Sequence, residues 1–201
     1  LLTDPRRKNY STSTFNHQDI KKYKKYVNRN VIVVQRINEC DERKGTNNVN
    51  KLYFEASSIA DHVIFVSDWL RSIYVNLGIE VSKTSTILSG SNSKIFFPEG
   101  RSLKKTGEKF KIVTHHWSSN FLKGYEIYKK LDNLLDDKKW NDLFEFSYIG
   151  NISPNFDFKN TNIIKPLSGK KLAYELKKNH IYLTASKNEP SGNHHIEASQ
   201  C

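Results

Sequence analysis

The 201-residue sequence predicts an α/β protein built from two parallel β-sheets. Short, apolar, β-leaning runs alternate with segments of helical spacing from about residue 31 to the end of the chain. Such alternation favours parallel strands joined by right-handed helical crossovers. The pattern restarts after a stretch rich in Gly, Ser and Lys. We therefore divide the chain into a first domain at residues 1–98, a linker or loop at 99–109 and a second domain at 110–201.

Composition indicates a soluble globular protein, with 37% hydrophobic and 12% aromatic residues. We find neither a signal peptide nor an apolar run long enough to span a membrane. The chain contains no Met and stops inside an expected helix, so we expect an internal fragment of a longer protein. Cys40 and Cys201 match no disulfide or metal pattern, which favours reduced thiols in a cytosolic setting.

The chain is strongly basic, with 32 Lys and Arg against 21 Asp and Glu and a net charge of +11. Basic and aromatic residues interleave at 21–26, and a second basic cluster spans 104–111. Three interpretations stay open: a solvated Lys-rich surface, a nucleic-acid surface, or docking on anionic lipid. Charge alone does not choose among them.

The first domain opens with a short helix at about Gln18–Val27, followed by a β-branched strand at Val31–Val34. Polar residues follow this strand, at the sheet edge where open α/β sheets bind ligands. Gln35, Arg36 and Asn38 are therefore candidate ligand contacts, with a charged surface loop as the alternative.

Helix and strand then alternate to the end of the first domain. Helical spacing at 52–60 precedes a buried strand at Val63–Val66. Ser67 is expected to cap a helix that closes at Gly78, and a last strand spans Thr84–Leu88.

In the second domain we predict strands at Phe110–Thr114, Phe144–Ile149, Ile163–Ile164 and Ile181–Ser186. Helices are expected at 127–135 and, after a Ser168 cap, at 172–176. Gly150-Asn151 follows the second of these strands as a tight turn that lets a ligand approach the backbone.

The last strand leads into a Pro/Gly loop and a helix start. Asn193 is the expected N-cap, and Glu197 lies four positions further along the same helical face. Free N–H groups at a helix start bind phosphate, whereas the carboxylates of Glu189 and Glu197 can accept hydrogen bonds from sugar hydroxyls.

Glu189 and Glu197, with seven residues between them, resemble the E-x7-E motif of the retaining glycosyltransferases of family 4, glycosyl transferases group 1. Residues 59–70 are similar to the family block A-D-x-V-x-x-V-S-x-x-L, and residues 89–98 partly match N-G-V-D-x-x-x-F-x-P. Lys123-Gly124 matches the Lys-Gly after the first strand of the family's second domain. The matches run in family order. The resemblance implies the GT-B fold, with two Rossmann-like domains facing a cleft and both incomplete here.

The implied reaction moves a sugar from a nucleoside-diphosphate sugar to an acceptor hydroxyl with retained configuration. The resemblance makes Glu189 and Lys123 catalytic, with Lys123 on the donor diphosphate and Glu189 on the sugar hydroxyls. Glu197 would bind the ribose, while Ser118 stands where most relatives have an Arg. The expected donor-binding residues are Ser118, Lys123, Gly150, Asn151, Pro166, Leu167, Glu189, Gly192, Asn193, His194 and Glu197.

Gln35, Arg36 and Asn38 would face the cleft from the first domain, with Gln35 or Arg36 where relatives often carry a His. Neither a metal ion nor another cofactor is expected, because a lysine and a helix start can neutralise the leaving diphosphate.

The resemblance also implies a glycan or lipid-linked acceptor and a cytoplasmic location, with peripheral contact at an anionic inner membrane face as an option. No nucleic acid is expected as a partner. Two rival functions remain: a basic nucleic-acid-binding protein, and a catalytically silent relative that serves as a binding module. Ser118 and Gln35 favour the second rival.

Overall fold

The computed structural model describes Leu1, Leu2, Asp4, Pro5 and residues 15–201. These residues form two compact units. The first unit is Leu1–Ser89 with Asn188–Ser191, and the second is Gly90–Lys187 with Gly192–Cys201.

A parallel sheet of three strands, in the order β1–β2–β3, forms the centre of the first unit. Leu2 extends it through a parallel bridge to Gln35. The elements of this unit are α1 (His17–Tyr26), β1 (Val34–Ile37), α2 (Asp41–Lys44), α3 (Val49–Ser57), β2 (His62–Phe65), α4 (Asp68–Asn76) and β3 (Thr84–Thr86).

Two helix starts follow directly from local sequence. Asn16 and Asp19 form a capping box at α1, each side chain accepting a hydrogen bond from the other residue's N–H. The predicted helix at 18–27 is thus confirmed within one residue at each end. Ser67 Oγ accepts from Leu70 N at 3.2 Å and caps α4, as predicted.

The first strand begins later than predicted, at Val34 rather than Val31. Val33 bonds mainly to the residue before β2: its N–H donates to Asp61 Oδ2 at 2.7 Å, and its carbonyl accepts from Asp61 N at 2.8 Å. Ile32 is 77% exposed. Gln35 lies inside the strand, fully buried, and donates to the Tyr53 carbonyl at 3.2 Å. It is therefore a core residue, and the expected ligand contact is corrected.

The second unit holds a parallel sheet of four strands in the order β6–β5–β4–β7. Its elements are β4 (Phe110–His116), α5 (Tyr125–Leu134), α6 (Lys138–Asn141), β5 (Phe144–Gly150), β6 (Asn162–Ile164), α7 (Gly169–Lys177), β7 (Ile181–Tyr182) and α8 (Asn193–Ser199). Together the two sheets confirm the α/β class with parallel strands.

Both faces of the second sheet are covered. On β4, Ile112 packs in a cluster with Tyr128 and Phe146, whereas Val113 packs with Leu172 and Phe96 in another cluster. Adjacent residues of a strand point to opposite faces, so this alternation buries the strand on both sides.

Residues 90–109 attach to the second unit. Phe96 is buried in the core cluster of that unit, and Ser102 N donates to the Lys177 carbonyl at 2.7 Å. The unit boundary at Ser89 and Gly90 thus differs from our division at 98, because the apolar side chain of Phe96 packs on the later strands.

The two cysteines are free thiols. Cys40 is buried in the core of the first unit, and this burial raises the pKa of its thiol to about 12. Cys201 is partly buried against the core of the second unit, where burial also raises its pKa. Both thiols are therefore held in the protonated, weakly reactive form.

Among the residues described above, no helix is long and apolar enough to cross a bilayer. On α1, Tyr26 is 73% exposed and is followed by the exposed Val27. The basic and aromatic surface expected at 21–26 is thus open on this helix, while Lys24 pairs with Asp61 at 3.2 Å.

A buried carboxylate organises the loop before β6. Asp132 on α5 is fully buried and accepts hydrogen bonds from the backbone of Lys159 and Asn160, from the Thr161 hydroxyl and from Lys129 Nζ, at 2.7 to 3.0 Å. Burial alone would raise its pKa, but these donors outweigh it and lower the pKa of Asp132 to about 2.

We expect Asp132→Asn to lower the free energy of unfolding by about 2 to 3 kcal/mol at neutral pH, because an amide cannot replace a charged acceptor for these donors. The folded pKa lies below the ordinary 3.8, so this contribution is present above the ordinary value and is lost as pH falls through about 2. Urea unfolding at several pH values measures the loss.

Asp142→Asn, on the exposed Asp142 after α6, is the matched control and should leave stability within about 0.5 kcal/mol. Parent and Asp132→Asn curves that coincide at neutral pH would show that the buried carboxylate does not organise the loop.

Candidate functional site

The candidate site lies at the carboxyl edge of the second sheet. Strands β4, β5 and β7 run parallel, so their ends meet at one edge. β4 ends at His116, which stands opposite Gly150 at the end of β5. Ligands of open parallel sheets bind at this edge.

The loop after β4 is built from short side-chain caps. Ser118 Oγ accepts from Asn120 N at 3.1 Å, and Asn120 Oδ1 accepts from Leu122 N at 2.9 Å. A 3₁₀ turn at Phe121–Lys123 follows and leaves Lys123 partly buried. Ser118, where the resemblance implied an Arg, therefore shapes the loop that carries Lys123.

Gly124 allows this loop to touch the loop after β7. Its φ is +89°, and a Cβ at this position would collide with the Ala185 carbonyl oxygen. Lys187 N also donates to the Leu122 carbonyl at 2.8 Å. Only glycine combines this φ with such close approach, so Gly124 determines where the neighbouring Lys123 lies.

Gly150 and Asn151 join β5 to the same edge. A Cβ on Gly150, whose φ is +141°, would collide with the His116 carbonyl oxygen. Asn151 Nδ2 donates to the Trp117 carbonyl at 2.6 Å. The Asn151 side chain is thus engaged in holding the β4 loop.

A group of histidines lies under these loops. The ring of His116 is 4.9 Å from that of His194 between centroids, and His194 is 6.1 Å from His115. His116 is buried, and its Nε2 lies 2.7 Å from the Tyr128 hydroxyl. Tyr128 also accepts from Ala185 N at 3.0 Å, so it links β4 to the loop after β7.

His116 is neutral at physiological pH. Burial lowers its pKa most, and the nearby His194, Lys123 and His115 lower it further, to about 2. The buried imidazole is thus uncharged, with the ring of His194 beside it.

α8 begins one residue earlier than expected. Its N-cap is Gly192 rather than Asn193, and no side chain caps it. Asn193 is consequently the first helical residue, and His194 Nε2 lies 3.0 Å from the Thr184 hydroxyl. The predicted short strand at Ile181–Ser186 is only Ile181–Tyr182, so Thr184 belongs to the loop.

Glu197 points back to the end of β4. Its Oε2 lies 3.2 Å from His115 Nε2, and its side chain is 23% exposed. His115 itself is buried against the ring of Tyr182, with centroids 5.5 Å apart.

Glu189 groups with the first unit, in the segment Asn188–Ser191. Its Oε1 lies 3.0 Å from Arg43 Nε, and Arg43 Nη1 donates to Glu39 at 2.8 Å. Asn188 Nδ2 donates to the Glu42 carbonyl at 3.1 Å. The carboxylate predicted to hold donor hydroxyls therefore forms an ion pair with Arg43.

The remaining predicted residues lie at element ends. Pro166 is partly buried in the loop between β6 and α7, and Leu167 packs on the core cluster of the second unit. Arg36 and Asn38 are partly buried at the end of β1, where the Arg36 N–H bonds to the Leu2 carbonyl.

Sequence reasoning did not give roles to Arg43, His115, His116 and Tyr128. The two histidines stood directly after the predicted strand at 110–114, which is the position that could have identified them. Arg43 stood in the charged stretch after β1, and no local pattern distinguishes it from its neighbours.

In the part of the chain that the structure describes, no three His, Cys, Asp or Glu side chains group so as to hold a metal ion. The expectation of a reaction without metal or other cofactor stays a prediction.

No family model and no curated protein matches the sequence. The structure is similar to the crystal structure of TarM, with a TM-score of 0.63, 14% identity, and coverage of 91% of this chain and 37% of that chain. It is also similar to sucrose-phosphate synthase from Thermosynechococcus elongatus, with a TM-score of 0.65, 14% identity, and coverage of 90% and 51%. Both are GT-B glycosyltransferases, and the predicted GT-B fold is confirmed. This chain spans about a third to a half of their lengths.

We expect Gly124→Ala to destabilise the chain by more than about 2 kcal/mol, because a Cβ would collide with the Ala185 carbonyl in addition to the strain of a positive φ. Gly107→Ala is the matched control, since Gly107 has a φ of +79° with nothing within 4 Å of the added Cβ. It should cost about 1 kcal/mol. Denaturant unfolding measures both losses. If Gly124→Ala and Gly107→Ala lowered the free energy of unfolding equally, there would be no tight contact at Gly124.

Proposed function

We propose that this chain is part of a retaining glycosyltransferase of family 4, which transfers a sugar from a nucleoside-diphosphate sugar to an acceptor hydroxyl. The observation that carries the proposal is the packing of the Lys123 loop against the loop after β7, through Gly124 and Ala185, at the carboxyl edge of the second sheet where the rings of His116 and His194 lie 4.9 Å apart. The GT-B fold and the E-x7-E pattern of Glu189 and Glu197 support it.

The chemistry of the leaving group explains why these residues suit the reaction. As the bond between sugar and diphosphate stretches, negative charge grows on the leaving phosphate. An ammonium group and the N–H groups of a helix start stabilise such charge. Lys123 supplies the ammonium group, and the first turn of α8 supplies the N–H groups. Because His116 is neutral, it can donate or accept a hydrogen bond here without adding a buried charge.

The two acids have different proposed partners. Glu189 accepts from hydroxyls of the donor sugar, close to the reacting bond, whereas Glu197 accepts from the nucleotide ribose. Pro166 and Leu167 lie beside the base, and the turn of Gly150 and Asn151, which packs against the His116 carbonyl oxygen, borders the donor. Ser118 offers only a hydroxyl where relatives carry an Arg, so Lys123 carries more of the diphosphate charge.

A glycan or lipid-linked acceptor, a cytoplasmic location and contact with an anionic membrane stay predictions. The exposed Tyr26 and Val27 of α1 and the neighbouring lysines favour the membrane over a nucleic acid, since apolar side chains accompany the basic ones.

Thermal unfolding with a panel of nucleotide sugars tests the proposal. A ligand present at 100 times its Kd stabilises a protein by about 2.7 kcal/mol. We expect at least one nucleotide sugar and its free nucleoside diphosphate to raise Tm, while the matching nucleoside does not. If no nucleotide in the panel raised Tm, the proposal would be overturned. The candidate functions would then be a catalytically silent binding module or a nucleic-acid-binding protein.

This fragment alone is expected to be inactive, so activity is measured on the full-length enzyme, where we expect Lys123→Ala to lower kcat by roughly a hundredfold or more, the scale of a lost charge-stabilising group. Its Tm should stay near the parent's because Lys123 is only partly buried. Lys130→Ala, on the exposed Lys130 of the following helix, is the matched control. Unchanged turnover in Lys123→Ala would make Lys123 an ordinary surface lysine.

In the full-length enzyme we expect the Glu197 and Glu189 variants to change different kinetic constants. Glu197→Gln should raise the donor KM, since a hydrogen bond from the ribose to a charged group is worth about 1.5 to 3 kcal/mol and is made alike in ground and transition states. Glu189→Gln should lower kcat as well, because its contacts hold the reacting ring in geometry for attack.

Steady-state kinetics and binding of the free nucleoside diphosphate measure this difference, with Glu126→Gln on exposed Glu126 as the control. Glu197→Gln with undiminished nucleotide binding, or Glu189→Gln with full turnover, would show that the roles are assigned wrongly.

A further inference from the structure

His115 lies near the end of β4 and has no part in the proposed reaction. It is the penultimate residue of β4 and is buried among side chains of the second unit. The rings of Tyr182 and His194 flank it, with centroids 5.5 Å and 6.1 Å away. These aromatic neighbours and the strand backbone fix the direction in which the imidazole points.

The imidazole points at Glu197. His115 Nε2 lies 3.2 Å from Glu197 Oε2, and this is the one hydrogen bond that the described residues make to the carboxylate. A partly buried carboxylate requires donors, and a long acidic side chain on a helix otherwise samples several rotamers. His115 therefore selects one rotamer of Glu197 and leaves Oε1 available to a ligand.

The same contact assigns the imidazole tautomer. To donate to a carboxylate, Nε2 must carry the proton. The other ring nitrogen, Nδ1, is buried without a hydrogen-bond partner among the described residues. His115 thus has a single oriented donor, aimed at Glu197.

We propose that His115 is a positioning residue, which holds Glu197 ready to accept a hydrogen bond from a ribose hydroxyl and thereby makes the site select ribonucleotides over deoxyribonucleotides. This inference rests on the proposed function. A site that presents a fixed acceptor to a hydroxyl discriminates against the analogue lacking it, because the acceptor is then left unpaired. Without His115 the carboxylate turns to solvent and this penalty disappears.

Calorimetric titration of the ligand-free chain tests the inference. The probes are the nucleoside diphosphate that stabilises the chain most and its 2′-deoxy and 3′-deoxy counterparts. We expect the parent to prefer the ribonucleotide over at least one of the two by about tenfold or more. The ribose preference is the Kd of the deoxynucleotide divided by the Kd of the ribonucleotide. In His115→Asn this ratio should fall to about one, because the shorter amide ends near the Nδ1 position and does not reach Glu197.

His115→Gln is the conservative variant that should rescue the contact. Its amide nitrogen extends about as far from the backbone as Nε2 and can donate to Glu197. It should restore most of the ribose preference. His180→Asn is the matched control: His180 directly precedes β7, its side chain is only 6% exposed, and its Nδ1 accepts from Lys111 N at 3.0 Å. That variant should lose stability yet keep the parent ratio. A role of His115 in packing alone would change Tm but leave the ratio intact in all variants.

The outcomes separate the two proposals. If no nucleoside diphosphate binds the parent, the proposed function fails and this inference fails with it. If the parent binds with ribose preference and His115→Asn keeps that preference, His115 does not position Glu197, while the proposed function stands. A preference lost equally in the Asn and Gln variants also overturns the inference, because the donor would then be irrelevant.

Discussion

The second unit depends on the parallel pairing of β4 with strands on both of its sides. β5 and β7 flank it, and side chains cover both faces of the sheet. A strand enclosed in this way cannot shift its register without moving its apolar residues to the wrong face. The carboxyl end of β4, with His115 and His116, is therefore held at a fixed place against the loops that follow β5 and β7.

Two glycines allow the loops at this edge of the sheet to pack closely against one another and against the end of β4. Gly150 allows the turn after β5 to touch the backbone of His116, and Gly124 allows the Lys123 turn to touch Ala185. Tyr128 completes the contact by bonding to both His116 and the Ala185 N–H. Charged and polar groups are thus positioned by backbone contacts that a side chain at either glycine would prevent.

Electrostatics at this edge follow from burial. His116 is uncharged because burial and basic neighbours both oppose its protonation. The basic character of the edge consequently resides in the partly buried Lys123 and not in the buried imidazole. Asp132 shows the opposite balance, since hydrogen-bond donors outweigh burial and keep that carboxylate ionised. Of two buried groups, one is therefore neutral and the other charged, according to the partners supplied by the fold.

Local sequence was enough to predict the α/β class, most of the strands and the cap at Ser67. These features depend on periodicity, capping chemistry and chain order, which are all visible in neighbouring residues. Three other features could be known only from the folded chain: Gln35 is a core residue, His115 faces Glu197, and Arg43 pairs with Glu189. The last two contacts join residues 82 and 146 positions apart, and the buried Gln35 donates to the carbonyl of Tyr53, 18 positions away. Such partners are set by the packing of whole elements, for which no local pattern in the sequence exists.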